Sequence, residues 1–166
     1  MLVEALKIYN EQHPSAKVTL SAKQISEFKK LNMFGLPFRG MPKFLDMEQS
    51  KRDEYQGNME DPTVGIPIDG THRDRKGKLN EFQIWMQAVY NVAQRINKEQ
   101  SESGADPTAL ENLYTALMKK GEGIAVKADK NTPYSTVHLI FDNLQTMKLN
   151  KFTLMTALKS EDEPTN

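Results

Sequence analysis

The chain has no cysteine among its 166 residues, which excludes disulfides and thiolate chemistry and leaves the redox compartment open. It also lacks any run of about 18 to 20 apolar residues, and its start is neither basic nor followed by an apolar stretch of signal-peptide type. As written, the chain is expected to be soluble. Excess charge of either sign is missing too: 22 Lys and Arg balance 22 Asp and Glu, so no overall field draws it to nucleic acid or anionic lipid. The three histidines, His13, His72 and His138, are far apart and show no local carboxylate or second-histidine pattern of a metal site. Phosphate-loop, dinucleotide and nucleophile-elbow signatures are absent as well. The expectation is therefore no metal, no cofactor and no enzymatic activity.

What is present suits one domain, which at this length can bury about 70% of its unfolded surface. Leu2, Val3, Ala5, Leu6, Ile8 and Tyr9 give the stripe of a short helix that ends before His13-Pro14. That helix is either the continuation of a preceding membrane segment or an ordinary docked helix; the second reading is slightly favoured, and both bury Leu6. Val18 and Leu20 suggest a few residues of strand. Ser21 with Gln24 forms a capping-box signature for a helix carrying Ile25, Phe28 and Leu31. From Met33 to Met47, apolar side chains alternate with Gly35, Pro37, Gly40 and Pro42, which excludes a long helix. This segment is either a partner-binding surface or, the favoured reading, a loop tucked over the core. Residues 48–61 read as an exposed linker and residues 63–69 as an edge strand with Pro67 on it. The basic stretch His72, Arg73, Arg75, Lys76 and Lys78 reads as a solvated turn. Asn80 is expected to cap the longest helix, with Phe82, Trp85, Met86, Val89, Ala93 and Ile96 on its apolar face, and a polar loop is expected over 98–104. A further helix is expected from Pro107 with Leu110, Leu113, Tyr114 and Leu117 buried.

The stretch 121–158 organises the remainder. Ile124, Val126 and Ala128 alternate with Ala125, Lys127 and Asp129, as in a strand over 124–129. Thr132 then Pro133 read as cap and first turn of a helix whose apolar face is Tyr134, Val137, Ile140, Phe141, Leu144 and Met147. Phe152, Leu154, Thr156 and Leu158 alternate with Lys151, Thr153 and Met155 in a closing strand. A right-handed crossover would set the two strands parallel. The fold class expected is thus α/β of the α+β kind: a small sheet with helices packed on it, ending in a strand–helix–strand unit. The divisions expected are 1–60, a helical and irregular segment that is membrane-proximal in the reading where its first helix continues a membrane segment; 61–158, the domain proper; and 159–166, a polar tail.

Ala128-Asp129-Lys130 closing a strand, Tyr134 opening a helix, Asp142 and Leu144 late in it, and Leu154-Met155-Thr156 in a final strand together resemble the C-terminal part of the ExbD/TolR family. The resemblance covers about a quarter of the chain. It implies the periplasmic domain of an inner-membrane subunit in a biopolymer-transport system driven by proton motive force. Such a subunit forms a homodimer within an ExbB/TolQ-like channel and passes motion to a TonB- or TolA-like protein. Any membrane attachment would run through an anchor absent from these residues, and the proton-linked acidic residue would lie in that anchor. The contact residues it implies are Asp129, Lys130, Tyr134, His138, Phe152, Leu154 and Thr156. Residue by residue, Asp129 reads as a turn acceptor, His138 as a half-buried structural histidine, and Tyr134 equally as core or contact. The alternative is a free-standing α/β enzyme or small-ligand-binding protein with a site drawn from Asp129, Lys130, His72 and Arg73.

Overall fold

The computed structural model describes residues 1–58, 61, 63–69, 78–104, 123–129 and 131–155. The chain is mixed and helix-rich, broadly α+β, with a small two-stranded parallel sheet. It divides into two compact units, Met1–Val92 and Ala93–Asn166, with the boundary inside one long helix. The elements, in order, are α1 (Leu2–Gln12), α2 (Ala22–Phe28), a 3-10 turn (Phe38–Gly40), α3 (Met41–Asp46), α4 (Gln49–Gly57), α5 (Glu81–Glu102), β1 (Ala125–Lys127), α6 (Tyr134–Thr146) and β2 (Thr153–Met155).

In the first unit the core is aromatic. Phe38 is fully buried; it stacks on Trp85, with centroids 4.9 Å apart, and meets Tyr9 at a tilt, with centroids 4.6 Å apart. Leu36, Met41, Phe44 and Leu45 are buried beside it. The glycine- and proline-punctuated segment 33–47 is therefore core material: its prolines and glycines permit a tight 3-10 turn and one helical turn and a half, each presenting apolar side chains inward. Leu2, Ala5, Leu6 and Tyr9 of α1 complete the inner face, whereas Val3, expected on the same stripe, is turned to solvent. Glu4 ties α1 to α5 by accepting a hydrogen bond from Asn91 Nδ2 at 2.9 Å.

Local capping fixes two of the helix starts. Ser21 and Gln24 form the expected capping box at α2. Asn80 Oδ1 accepts from the Gln83 backbone N–H at 2.8 Å, while Gln83 Oε1 accepts from the Asn80 N–H at 3.2 Å, so α5 has a buried capping box of its own. Trp85 is core as expected, but the fully buried positions of α5 beside it are Ile84 and Ala88, and Ile96 is exposed.

Four local expectations are corrected. Residues 17–20 form no strand, because Asn10 supplies the pairing a neighbouring strand would give: its Oδ1 accepts from Val18 N–H and its Nδ2 donates to Val18 C=O, both at 2.8 Å. Residues 49–57 are helical, not linker. Arg52 is buried there, donating from Nε to the Met47 carbonyl and from Nη2 to Glu27 Oε2 at 2.7 Å, so a charged side chain anchors α4 to α2. Residues 63–69 lack a strand ladder; Val64, Ile66 and Ile68 do share a half-buried side, but Gly65, at φ +103°, donates its N–H to the Gly35 carbonyl at 2.7 Å. The polar run 98–102 continues α5, with Gly104 beyond its end at φ +72°. The helix expected from Pro107, the basic residues 72–76 and the tail 159–166 lie outside the described residues.

In the second unit β1 and β2 run parallel, with Val126 opposite Leu154, and the Ile124 carbonyl accepts from Thr153 N–H at 2.9 Å. Between them in sequence lies α6, on which Asn143 and Leu144 are buried. Phe141 of α6 stacks on Phe152, just before β2, with centroids 4.8 Å apart.

Candidate binding surface

α6 begins without a side-chain cap: Pro133 occupies the cap position, and its carbonyl accepts from Thr136 and Val137. Thr132 is thus not the cap expected; its N–H instead donates to the Asp129 carbonyl at 3.0 Å. The Asp129 carboxylate accepts from the Asn131 N–H at 2.9 Å, the turn-acceptor role read from its position. With one carboxylate oxygen committed to the turn and the side chain in water, Asp129 shapes the loop that leads into α6.

Tyr134 is 77% exposed, so it belongs to the surface and not to the core. His138, one turn later, meets the Tyr134 ring edge-on at 5.7 Å. Its Nδ1 lies 3.2 Å from Asp142 Oδ2, and both side chains are about half exposed. His138 is therefore not the half-buried structural residue expected, and it does have a local carboxylate. The i, i+4 spacing of His138 and Asp142 in the sequence was the signal for that pair. Tyr134, His138 and Asp142 form one ridge along α6: an aromatic ring, an imidazole and a carboxylate in successive turns. Such a ridge offers stacking area and both donor and acceptor atoms to a partner. No group of three or more metal-ligating side chains occurs among the described residues.

Phe152 is half-buried against Phe141 and is a packing residue that sets the approach to β2. In β2 itself, Thr153, Leu154 and Met155 are all exposed, with Leu154 at 48% and Met155 at 50%. Adjacent strand residues point to opposite faces, so both faces of β2 meet solvent. The expected alternation, with Leu154 inside and Met155 outside, does not hold: Thr153, Leu154 and Met155 are all exposed, and among the described residues of this unit no layer covers either face at that point. Met155 joins Leu154 as a contact candidate that periodicity alone assigned elsewhere. Lys130 and Thr156 lie outside the described residues, as do His72 and Arg73 of the alternative site.

No family model, no curated protein and no solved structure matches this chain. Among the described residues, no helix is long and apolar enough to cross a membrane.

Proposed function

We propose that this chain is the periplasmic domain of an ExbD/TolR-like subunit, whose residues 123–155 make the strand–helix–strand unit of that family and whose work is recognition, not catalysis. The observation that carries the reading is the exposed apolar surface of the second unit: Tyr134 opening α6, and Leu154 with Met155 on a strand exposed on both faces. A two-stranded ribbon is marginal by itself in water, and pairing with an added strand or a second copy is the usual remedy. Large amphipathic rings such as Tyr134 are enriched where proteins meet. In this reading the subunit works as a homodimer in an ExbB/TolQ-like channel of the inner membrane, attached by an anchor that these residues do not contain. The α6 ridge and β2 receive the partner copy or a segment of a TonB- or TolA-like protein, so that proton-driven motion in the channel is passed outward.

Because the chain has no native cysteine, single cysteines report contacts without background. The full-length protein carrying Tyr134→Cys or Leu154→Cys, expressed with its channel partner, is expected to cross-link to a second copy or to the TonB-like protein. Glu102→Cys, at an exposed position on α5, serves as the control. Cross-linking equal at all three positions, or at none, together with unchanged uptake in Leu154→Arg, would rule the proposal out.

A further inference from the structure

The first unit carries a groove of about 360 Å³ where α1 begins and α2 ends. Met1, Leu2 and Val3 form one wall; Ile25, Phe28 and Leu31 form the other. Val3 is 64% exposed at its mouth, and Ile25, Phe28 and Leu31 pack against the core on their other sides. A concave apolar wall of this volume falls within the range of small-molecule sites. Lys29 is the one charged side chain in its lining. The two lysines that end this stretch differ: Lys30 Nζ is held 2.6 Å from Glu27 Oε1, whereas Lys29 is exposed and has no carboxylate partner among the described residues.

An apolar trough bordered by an uncompensated ammonium complements one chemical class, a hydrocarbon chain ending in an anion. We propose that this groove binds an acyl carboxylate, with the chain along Leu2, Val3, Ile25, Phe28 and Leu31 and the carboxylate on Lys29. The groove has a built-in reporter. Phe28 stacks parallel to Trp85, with centroids 6.1 Å apart, and Trp85 is the chain's single tryptophan. Seating a chain against Phe28 therefore alters the surroundings of the only indole.

The test is calorimetric titration of the whole chain with octanoate, decanoate and decanol, with Trp85 emission followed in parallel. Decanoate is expected to bind, to shift the emission, and to bind more tightly than octanoate by up to about fourfold for each methylene buried. Lys29→Gln is expected to weaken decanoate about two- to fivefold, the range for an exposed ion pair, and to leave decanol unchanged. Val3→Glu, at an exposed position and so compatible with folding, is expected to abolish both. No heat and no emission change with decanoate would overturn the proposal, as would a Lys29→Gln variant that binds decanoate as the parent does. A dimer seen by sedimentation that Val3→Glu dissolves and decanoate does not would assign the groove to a second copy of the chain and overturn it equally.

Discussion

Replacing Phe38 with alanine separates the two ways of reading the 33–47 segment. If this stretch were a surface for partners, its large side chains would contribute little to the stability of the free protein. In the structure Phe38 has no exposed surface and stands between Tyr9 and Trp85. Truncating a buried phenylalanine costs about 3–5 kcal/mol through lost transfer energy and the cavity left behind. The two ring contacts, each about 0.5–1.5 kcal/mol beyond area burial, place this site toward the top of that range. Against a typical domain stability of about 5–15 kcal/mol, the loss is large enough to be measured directly. Trp85 lies in the first unit, so urea unfolding followed by its emission reads that unit. Phe38→Leu, which keeps most of the volume, should cost about 1–2 kcal/mol and guards against a Phe38→Ala chain that does not fold. Met33→Ala, at a position 74% exposed in the same segment, should stay within about 0.5 kcal/mol of the parent. A Phe38→Ala loss no larger than that of Met33→Ala would refute the core assignment.

Two further predictions concern charge and capping. Lys30 and then Arg52 hold the Glu27 carboxyl down to about 2 from its ordinary value of 4.5. A depressed carboxyl stabilises the fold fully above its unfolded value and loses that contribution as pH falls through 4.5 toward about 2. Unfolding midpoints measured across that window should therefore fall in the parent and fall less in Glu27→Gln; equal slopes would count against the Glu27 assignment. At α5, Asn80→Ala removes the acceptor of the Gln83 N–H and should destabilise the first unit by about 1 kcal/mol. Asn80→Ser should recover most of that loss, and an Asn80→Ala chain as stable as the parent would show that the box is not what starts the helix.

Much of the local structure was legible in the sequence because its causes are local. The Ser21 and Gln24 capping box, the α1 stripe and the helix that begins next to Pro133 depend on residues within three or four positions of each other. The Asp129 turn was legible for the same reason. Misreadings arose where a distant residue replaced a local rule. Asn10 took the place of a strand opposite Val18, and Glu27 met Arg52 to turn a charged stretch into a docked helix. Gly35 captured the Gly65 N–H and left no ladder for an edge strand.

The sequence by itself determined that the chain has no thiol chemistry and no net charge, and that α2 and α5 begin at Ser21 and Asn80, whose short polar side chains cap them. Tertiary structure alone decided which apolar residues are covered. Periodicity groups side chains on a common face, but it does not say what lies opposite that face. Phe38 and Tyr134 are both large aromatics in apolar surroundings of sequence, and only the packing puts one at the centre of a unit and the other 77% into solvent. Burial is settled by contacts among residues far apart in the chain, and those contacts exist only once the chain has folded.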